Sequence, residues 1–159
     1  LKVSKRVGWP MDQLIFEITE TEKVRNRQHI KDIVDAYKSM GFTVALDDFG
    51  TGFANLDLLT TLLPDKLKID RQLVMNCDHD IRRQAMLKAL ITMAENLDTT
   101  LIAEGVETVE EARWLLQAGI NLQQGFFFAR PAFEKVVTDV TAGLDKVYES
   151  TGSMIGTGI

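Results

Sequence analysis

The chain has 159 residues, of which 45% are hydrophobic and 26% charged, a composition that fits a single folded domain and excludes a disordered or collagen-like chain. Its formal charge of −5 argues against a protein that binds polymeric nucleic acid, because such proteins need a basic face. The single cysteine, Cys77, excludes an internal disulfide, and no apolar run reaches the ~18 to 20 residues that span a bilayer. These features predict a cytoplasmic domain, whose parent protein could be anchored to a membrane through an upstream segment.

The first predicted unit is a strand, a helix and a second strand. Residues 14–19 and 43–47 are β-branched and aromatic runs that predict strands. Between them, apolar residues recur at helical spacing, and Gly41 stands where this helix should end.

The same order repeats farther along the chain. Residues 55–63 predict a short helix stopped by Pro64, and residues 66–70 predict a third strand. A longer helix begins near Asp80 and precedes a fourth strand at residues 99–104.

A capping box marks the next helix. Thr108 and Glu111 have the spacing of such a box, and Gly119 closes the helix. Residues 120–124 are a last short strand candidate. Five strands that alternate with helices predict an α/β fold with a parallel sheet, and both a barrel and an open sheet fit this pattern.

The final helix is predicted to open at Pro131, since proline is favoured in the first helical turn. Its apolar face consists of Phe133, Val136, Val137, Val140, Leu144 and Val147. Residues 151–159 lack periodicity and predict a flexible tail, which leaves residues 1–150 as the folded part.

Polar side chains end every predicted strand. Ligands of parallel α/β folds bind at the carboxyl ends of the strands, so these side chains should converge on one rim. They are Glu17, Glu20, Asp47, Asp48, Lys68, Asp70, Glu104, Glu107 and Gln124.

A rim so rich in carboxylates repels itself unless cations bind there. Oxygen ligands without thiolate or histidine suit Mg²⁺, Mn²⁺ or Ca²⁺, and two such ions form a common centre for phosphodiester hydrolysis. Adjacent Asp47 and Asp48 suit that arrangement, and Lys68 could orient the attacking water or neutralise developing charge.

Each rim residue also has an ordinary structural interpretation. Glu20 and Glu107 could be helix N-terminal charges or salt-bridge partners, Asp70 could cap a helix or pair with Lys68, and Gln124 could be a structural amide. The recurrence of polar groups at five successive strand ends favours the functional interpretation.

The motifs resemble those of the EAL domain family. The matching blocks are residues 16–20, 47–52, 68–70, 104–107 and 124–131, which read Phe-Glu-Ile-Thr-Glu, Asp-Asp-Phe-Gly-Thr-Gly, Lys-Ile-Asp, Glu-Gly-Val-Glu and a Gln-Gly-Phe segment that ends in proline. The resemblance covers most of the chain.

The resemblance implies a modified TIM (β/α) barrel that hydrolyses the bacterial second messenger cyclic di-GMP to linear pGpG with Mg²⁺ or Mn²⁺. It implies that Glu17, Asp47, Asp48 and Glu104 are metal ligands, that Lys68 holds the attacking water, and that Asp70 and Gln124 support it. Glu20 resembles the anchor of the loop at residues 48–55, which in the family links metal binding to dimerisation. Glu107 resembles a secondary carboxylate near the site. A homodimer and an upstream sensor domain are therefore expected.

The chain departs from the family pattern in two places. Residues 53–55 are Phe-Ala-Asn, where the family loop has an aromatic residue and two serines. The Glu-Ala-Leu stretch that gives the family its name is absent, and five strands can be counted where a closed barrel of about 250 residues has eight. We therefore expect a barrel that is incomplete at its N-terminal side.

Three functions fit the sequence. The first is catalysis of cyclic di-GMP hydrolysis. The second is a non-catalytic receptor or signalling module that binds cyclic di-GMP or a protein, which the absent Glu-Ala-Leu strand favours. The third, an unrelated metal-dependent lyase of the barrel class, has the least support in the motifs.

An incomplete barrel should also expose apolar surface. Ile15, Leu46 and Leu67 are expected to lack cover. The isolated chain is then expected to be molten, to aggregate or to exchange strands.

Overall fold

The computed structural model describes residues 6, 8, 10–19, 27–50, 55–133 and 141–148. Its five strands form one parallel sheet in sequential order. They are β1 (Ile15–Thr19), β2 (Thr43–Phe49), β3 (Lys66–Ile69), β4 (Thr100–Ala103) and β5 (Leu122–Gln123). All five strands predicted from the sequence are confirmed, with ends that differ by one or two residues.

Helices connect the strands. In the described residues they are α1 (Arg27–Ser39), α2 (Asn55–Leu62), α3 (Arg71–Val74), α4 (Ile81–Asn96), α5 (Val109–Ala118) and α6 (Thr141–Tyr148), and a 3-10 helix at Met11–Gln13 precedes β1. None of the described helices is long and apolar enough to cross a bilayer.

The sheet does not close on itself in the described part of the chain. There, β1 pairs only with β2, and β5 pairs only with β4. A parallel sheet with helical connections and two open edges is the expected incomplete (β/α) barrel.

The buried core lies where the helices pack on the sheet. Val34 of α1, Leu59 of α2, Leu87 of α4 and Leu115 of α5 belong to one cluster of fully buried side chains. The cluster also contains, from β2 and β3, Val44, Leu46, Leu67 and Ile69.

The expectation that Leu46 and Leu67 lack cover is wrong. Their exposed fractions are 1% and 0%, because both belong to the core cluster that includes helical side chains. Ile15 is 45% exposed, as expected for an open edge. Successive strand residues point to opposite faces, so an open sheet exposes some apolar residues and leaves those that face the helices buried.

A bulge interrupts β2 where its two aspartates lie. Leu46 pairs with Leu67 and Phe49 pairs with Ile69, so Asp47 and Asp48 together stand opposite Lys68 alone. The backbone of Asp48 is left-handed, with φ of 57°. A bulge breaks the regular alternation of side chains, so it allows two adjacent carboxylates to serve the same rim.

The predicted capping box of α5 is confirmed. Thr108 Oγ1 accepts a hydrogen bond from Glu111 N, and the Glu111 carboxylate accepts one from Thr108 N. The C-cap is Gly119, with φ of 107°.

The predicted start of the final helix is wrong. Pro131 and Ala132 are irregular and Phe133 lies in a turn, whereas helix is described at Thr141–Tyr148. The fixed φ of proline suits an extended segment as well as a first helical turn. Val136, Val137 and Val140 lie outside the described residues, as does the predicted tail.

Cys77 provides a test of the core. Burial raises the pKa of its thiol to about 12, so the folded thiol keeps its proton between pH 9 and 12 while the unfolded thiol loses it. The free energy of unfolding should therefore fall with rising pH above about 9, by up to about 1.4 kcal/mol per pH unit from this group. Urea titrations at pH 8 to 10.5 should show a shallower decline for Cys77→Ala. Equal slopes would contradict the burial of Cys77.

Candidate functional site

The side chain of Lys68 is the centre of the rim. Lys68 is only 7% exposed, although lysine is rarely buried. Its Nζ lies 3.0 Å from Glu17 Oε1, 2.9 Å from Asp47 Oδ1 and 2.8 Å from Glu104 Oε1. The sheet order places β3 between β2 and β4, which is why one lysine reaches carboxylates from both sides.

The charges in this cluster do not balance. Burial by itself lowers the pKa of Lys68, but hydrogen bonds to Glu104, Asp47 and Glu17 outweigh it and raise that pKa above its ordinary value. Burial raises the pKa of Glu104; Lys68 opposes this, whereas Asp47 and Glu17 add to it. One ammonium group faces three carboxylates, so a further cation would relieve repulsion that Lys68 leaves.

A second grouping overlaps the first. Asp47, Asp48 and Glu104 each offer a carboxylate oxygen, and these oxygens lie within 4.8 Å of one another. The β2 bulge explains how Asp47 and Asp48 contribute together. This donor set consists of hard oxygens, which fits Mg²⁺, Mn²⁺ or Ca²⁺ and does not fit a structural zinc site.

Gln124 lies where the sequence predicts it. Its Nε2 donates a 2.5 Å hydrogen bond to Glu104 Oε1, the oxygen that Lys68 also contacts. Its backbone N–H donates to Ala103 O at 2.8 Å, which fixes Gln124 to the end of β4. Gln124 therefore orients Glu104.

Asp70 serves at least a structural role. Its Oδ1 accepts from Gln72 N at 2.7 Å and caps α3, a short helix that the sequence pattern did not predict. The proposed pairing of Asp70 with Lys68 is not found, because the described ion pairs of Lys68 go to three other carboxylates.

Glu107 forms an ion pair with a residue that the sequence motifs did not single out. Arg71 Nη2 lies 2.9 Å from Glu107 Oε1, and both side chains are about half exposed. A Cβ on Gly105 would lie 2.6 Å from Arg71 Cβ, so only glycine allows this close approach. The sequence feature that could have identified Arg71 as a site residue is its position directly after Asp70, at the end of a strand.

A cavity of about 750 Å³ adjoins the carboxylate cluster. Arg71 and Arg130 line it, and the Arg130 guanidinium lies 4.8 Å from the centre of the Phe126 ring. Its wall also includes Asp70, Glu104, Glu107 and Gln124. Carboxylates that can hold cations and two guanidinium groups together suit an anionic ligand with flat rings.

The predicted loop anchor cannot be placed in this site. Glu20 lies outside the described residues, as do residues 51–54 of the loop. The site as described therefore contains Glu17, Asp47, Asp48, Lys68, Asp70, Glu104, Glu107 and Gln124 of the predicted set.

A sequence model of the EAL domain matches residues 1–131. The chain belongs to the EAL domain family. Two relatives from Escherichia coli K12 are the blue light- and temperature-regulated antirepressor BluF, 39% identical over 75% of this chain, and the probable cyclic di-GMP phosphodiesterase PdeN, 38% identical over 75% of it. This EAL chain spans 30% of the length of BluF and 23% of that of PdeN.

Solved EAL structures have the same fold. A standalone EAL protein from Vibrio cholerae O395 in its c-di-GMP bound form gives a TM-score of 0.81 at 41% identity, over 84% of this chain and 56% of that one. A manganese and cyclic di-GMP complex of BlrP1 from Klebsiella pneumoniae gives 0.75 at 40% identity, over 80% and 33%. The described sheet is thus part of an EAL barrel.

The contact of Gly125, which follows β5, with Val106, which follows β4, can be tested by substitution. A Cβ on Gly125 would lie 2.1 Å from Val106 O and 2.3 Å from Val106 N, both backbone atoms. Gly125→Ala should therefore cost at least about 3 kcal/mol of unfolding free energy, measured in urea. Gly119→Ala is the matched control, because a Cβ there would have no atom within 4 Å and only the φ of 107° opposes the change, at a cost of about 1 to 2 kcal/mol. Equal losses would contradict the close approach.

Proposed function

We propose that this chain carries the catalytic rim of a cyclic di-GMP phosphodiesterase that yields linear pGpG. The observation that carries the proposal is the Lys68 ammonium among Glu17, Asp47 and Glu104, beside a cavity with two arginines. The phosphodiesterase name of one relative and the bound cyclic dinucleotide of two similar structures support it.

In the proposed mechanism, Glu17, Asp47, Asp48 and Glu104 would hold two divalent ions, Mg²⁺ or Mn²⁺. When bound, these ions supply an activated water and neutralise phosphate charge. The manganese in the BlrP1 complex supports this choice of cofactor. The oxygen of water bonds to phosphorus, the bond from phosphorus to the 3′ oxygen breaks, and a proton ends on that oxygen.

Lys68 orients the water in this mechanism and stabilises charge that develops on the phosphate. All three N–H bonds of its ammonium are matched by its three carboxylate contacts. A water can therefore be held only if one contact is exchanged. Glu17 is the natural candidate, since its side chain is 47% exposed and its contact is the longest at 3.0 Å.

The remaining site residues position these groups and the substrate. Gln124 keeps Glu104 in place through its 2.5 Å hydrogen bond. Asp70 caps α3, the helix in which the cavity residue Arg71 lies. Arg71 and Arg130 bind phosphate or base edges within the cavity, and Glu107 holds Arg71 through their ion pair.

A receptor function is the second candidate. One relative with 39% identity is named an antirepressor. A receptor would use the same cavity to bind cyclic di-GMP without cleaving it. Calorimetric titration with cyclic di-GMP, with Mg²⁺ and with EDTA, separates the two functions: binding without formation of pGpG supports the receptor.

We also propose that the protein is a cytoplasmic homodimer regulated by an upstream sensor domain. Relatives much longer than the matched segment support additional domains. The expected link from the loop to the dimer depends on Glu20, which lies outside the described residues.

Loss of single rim residues tests catalysis. Asp47→Ala and Lys68→Ala should each lower the rate of pGpG formation at least about 100-fold in Mg²⁺ or Mn²⁺, because the first removes a proposed metal ligand and the second removes the ammonium group that stabilises charge on the phosphate. Product can be measured by chromatography, and EDTA should abolish it in the unaltered protein.

Lys66→Ala is the matched control for these variants. Lys66 begins β3, two residues before Lys68 and at the end of the strand away from the rim, so its removal should leave the rate unchanged. Full activity in Lys68→Ala would rule out the proposed mechanism.

A further inference from the structure

The carboxylate of Glu111 accepts hydrogen bonds from two separate segments of the chain, one after α3 and one after β4. The residue is 3% exposed, although it belongs to the first turn of α5. Its Oε1 accepts from Asn76 N at 2.8 Å, and its Oε2 accepts from Glu107 N at 2.9 Å and Thr108 N at 3.1 Å. Three backbone donors therefore meet one buried carboxylate.

The contact with Asn76 is not part of the helix cap. The bonds to Glu107 and Thr108 are local and belong to the N-terminus of α5. Asn76 is 35 residues away in the sequence and follows α3, with a left-handed φ of 56°. Glu111 therefore ties the segment after α3 to the segment after β4.

The region that ends at Asn76 and the segment after β4 each begin with residues that line the cavity, and Met75 N donates to Arg71 O at 2.8 Å between the cavity and Asn76. Asp70 and Arg71 come from the α3 side, while Glu104, Gly105 and Glu107 come from the β4 side. The 2.9 Å ion pair of Arg71 with Glu107 joins them at the cavity surface, where both side chains are about half exposed. Exposed ion pairs contribute little by themselves, so the buried bonds of Glu111 are the stronger connection.

We propose that Glu111 is a positioning residue that sets the spacing between Arg71 and Glu107 and thereby the affinity for the cyclic dinucleotide. This inference rests on the proposed function of the cavity. Its physical basis is that an unmet buried N–H donor is costly, so both segments are held to the one carboxylate that satisfies them.

The Lys68 cluster does not depend on Glu111. Glu104 N donates to Ile69 O at 3.1 Å, and Gln124 N donates to Ala103 O at 2.8 Å. These bonds extend the sheet and fix the backbones of Glu104 and Gln124, and neither of them involves Glu111. Loss of the Glu111 contacts should therefore weaken substrate binding and leave the chemical step intact.

The test is Glu111→Gln in the full chain. A carboxamide has one acceptor oxygen, so in either orientation its NH₂ faces a backbone N–H on one side. We expect the KM for cyclic di-GMP to rise about tenfold, with kcat within about twofold of the unaltered protein. Glu110→Gln is the matched control, because this exposed neighbour carries the same charge in the same helical turn and should change neither constant.

Hydrogen exchange supplies a readout that does not depend on turnover. In Glu111→Gln the amides of Asn76, Glu107 and Thr108 should exchange about tenfold faster, while those of Glu104 and Gln124 keep their rates. If the protein proves to be a receptor, the dissociation constant for cyclic di-GMP replaces KM, so failure of the catalytic proposal does not affect this test.

Two results would overturn the inference. One is unchanged KM and unchanged local exchange in Glu111→Gln. The other is a lower kcat at constant KM with uniformly faster exchange, which would mean that Glu111 only stabilises the whole fold. If Glu111→Gln does not fold, Glu111→Asp is the second variant: it keeps the charge at the helix N-terminus but is one carbon shorter, so the Asn76 contact should be lost first, with the same rise in KM.

Discussion

The ammonium group of Lys68 connects carboxylates that come from three other parts of the sheet. Glu17 comes from β1, Asp47 from β2 and Glu104 from the end of β4, and each lies within 3.0 Å of Lys68 Nζ. Without that charge, three acidic groups would repel one another in a half-buried site. With it, they share one location and still leave an excess of negative charge for divalent cations. The candidate chemistry depends on this arrangement of one ammonium group among three carboxylates.

Two local irregularities of the backbone bring these charged groups together. The β2 bulge sets Asp47 and Asp48 opposite Lys68, where a regular strand would send them to opposite faces. The close approach of Gly125 to the backbone of Val106 brings the end of β5 against the segment after β4, which lets Gln124 reach Glu104. Beside this rim, side chains connect the segments next to the cavity: Glu111 in the interior, and the Arg71 ion pair with Glu107 at the surface.

Much of the fold follows from local patterns. Each predicted strand is present in a parallel sheet, and the capping box at Thr108 and Glu111 forms as its spacing predicts. The final helix shows the limit of such patterns, since Pro131 suits an extended segment as well as a helix start. The short helix α3 was missed for a related reason: four residues carry too little periodicity to be recognised.

The sequence by itself determined the identity of the rim residues, because the strand ends, the carboxylates and the one lysine are all local features of the chain. It also determined the family, through motifs with fixed order. Only the tertiary structure decided that Lys68 contacts three carboxylates and does not pair with Asp70, that Arg71 belongs to the cavity, and that Glu111 reaches Asn76. These are contacts between residues far apart in the chain, and they are set by strand order, the bulge in β2 and helix packing, none of which has a signature in a short stretch of sequence.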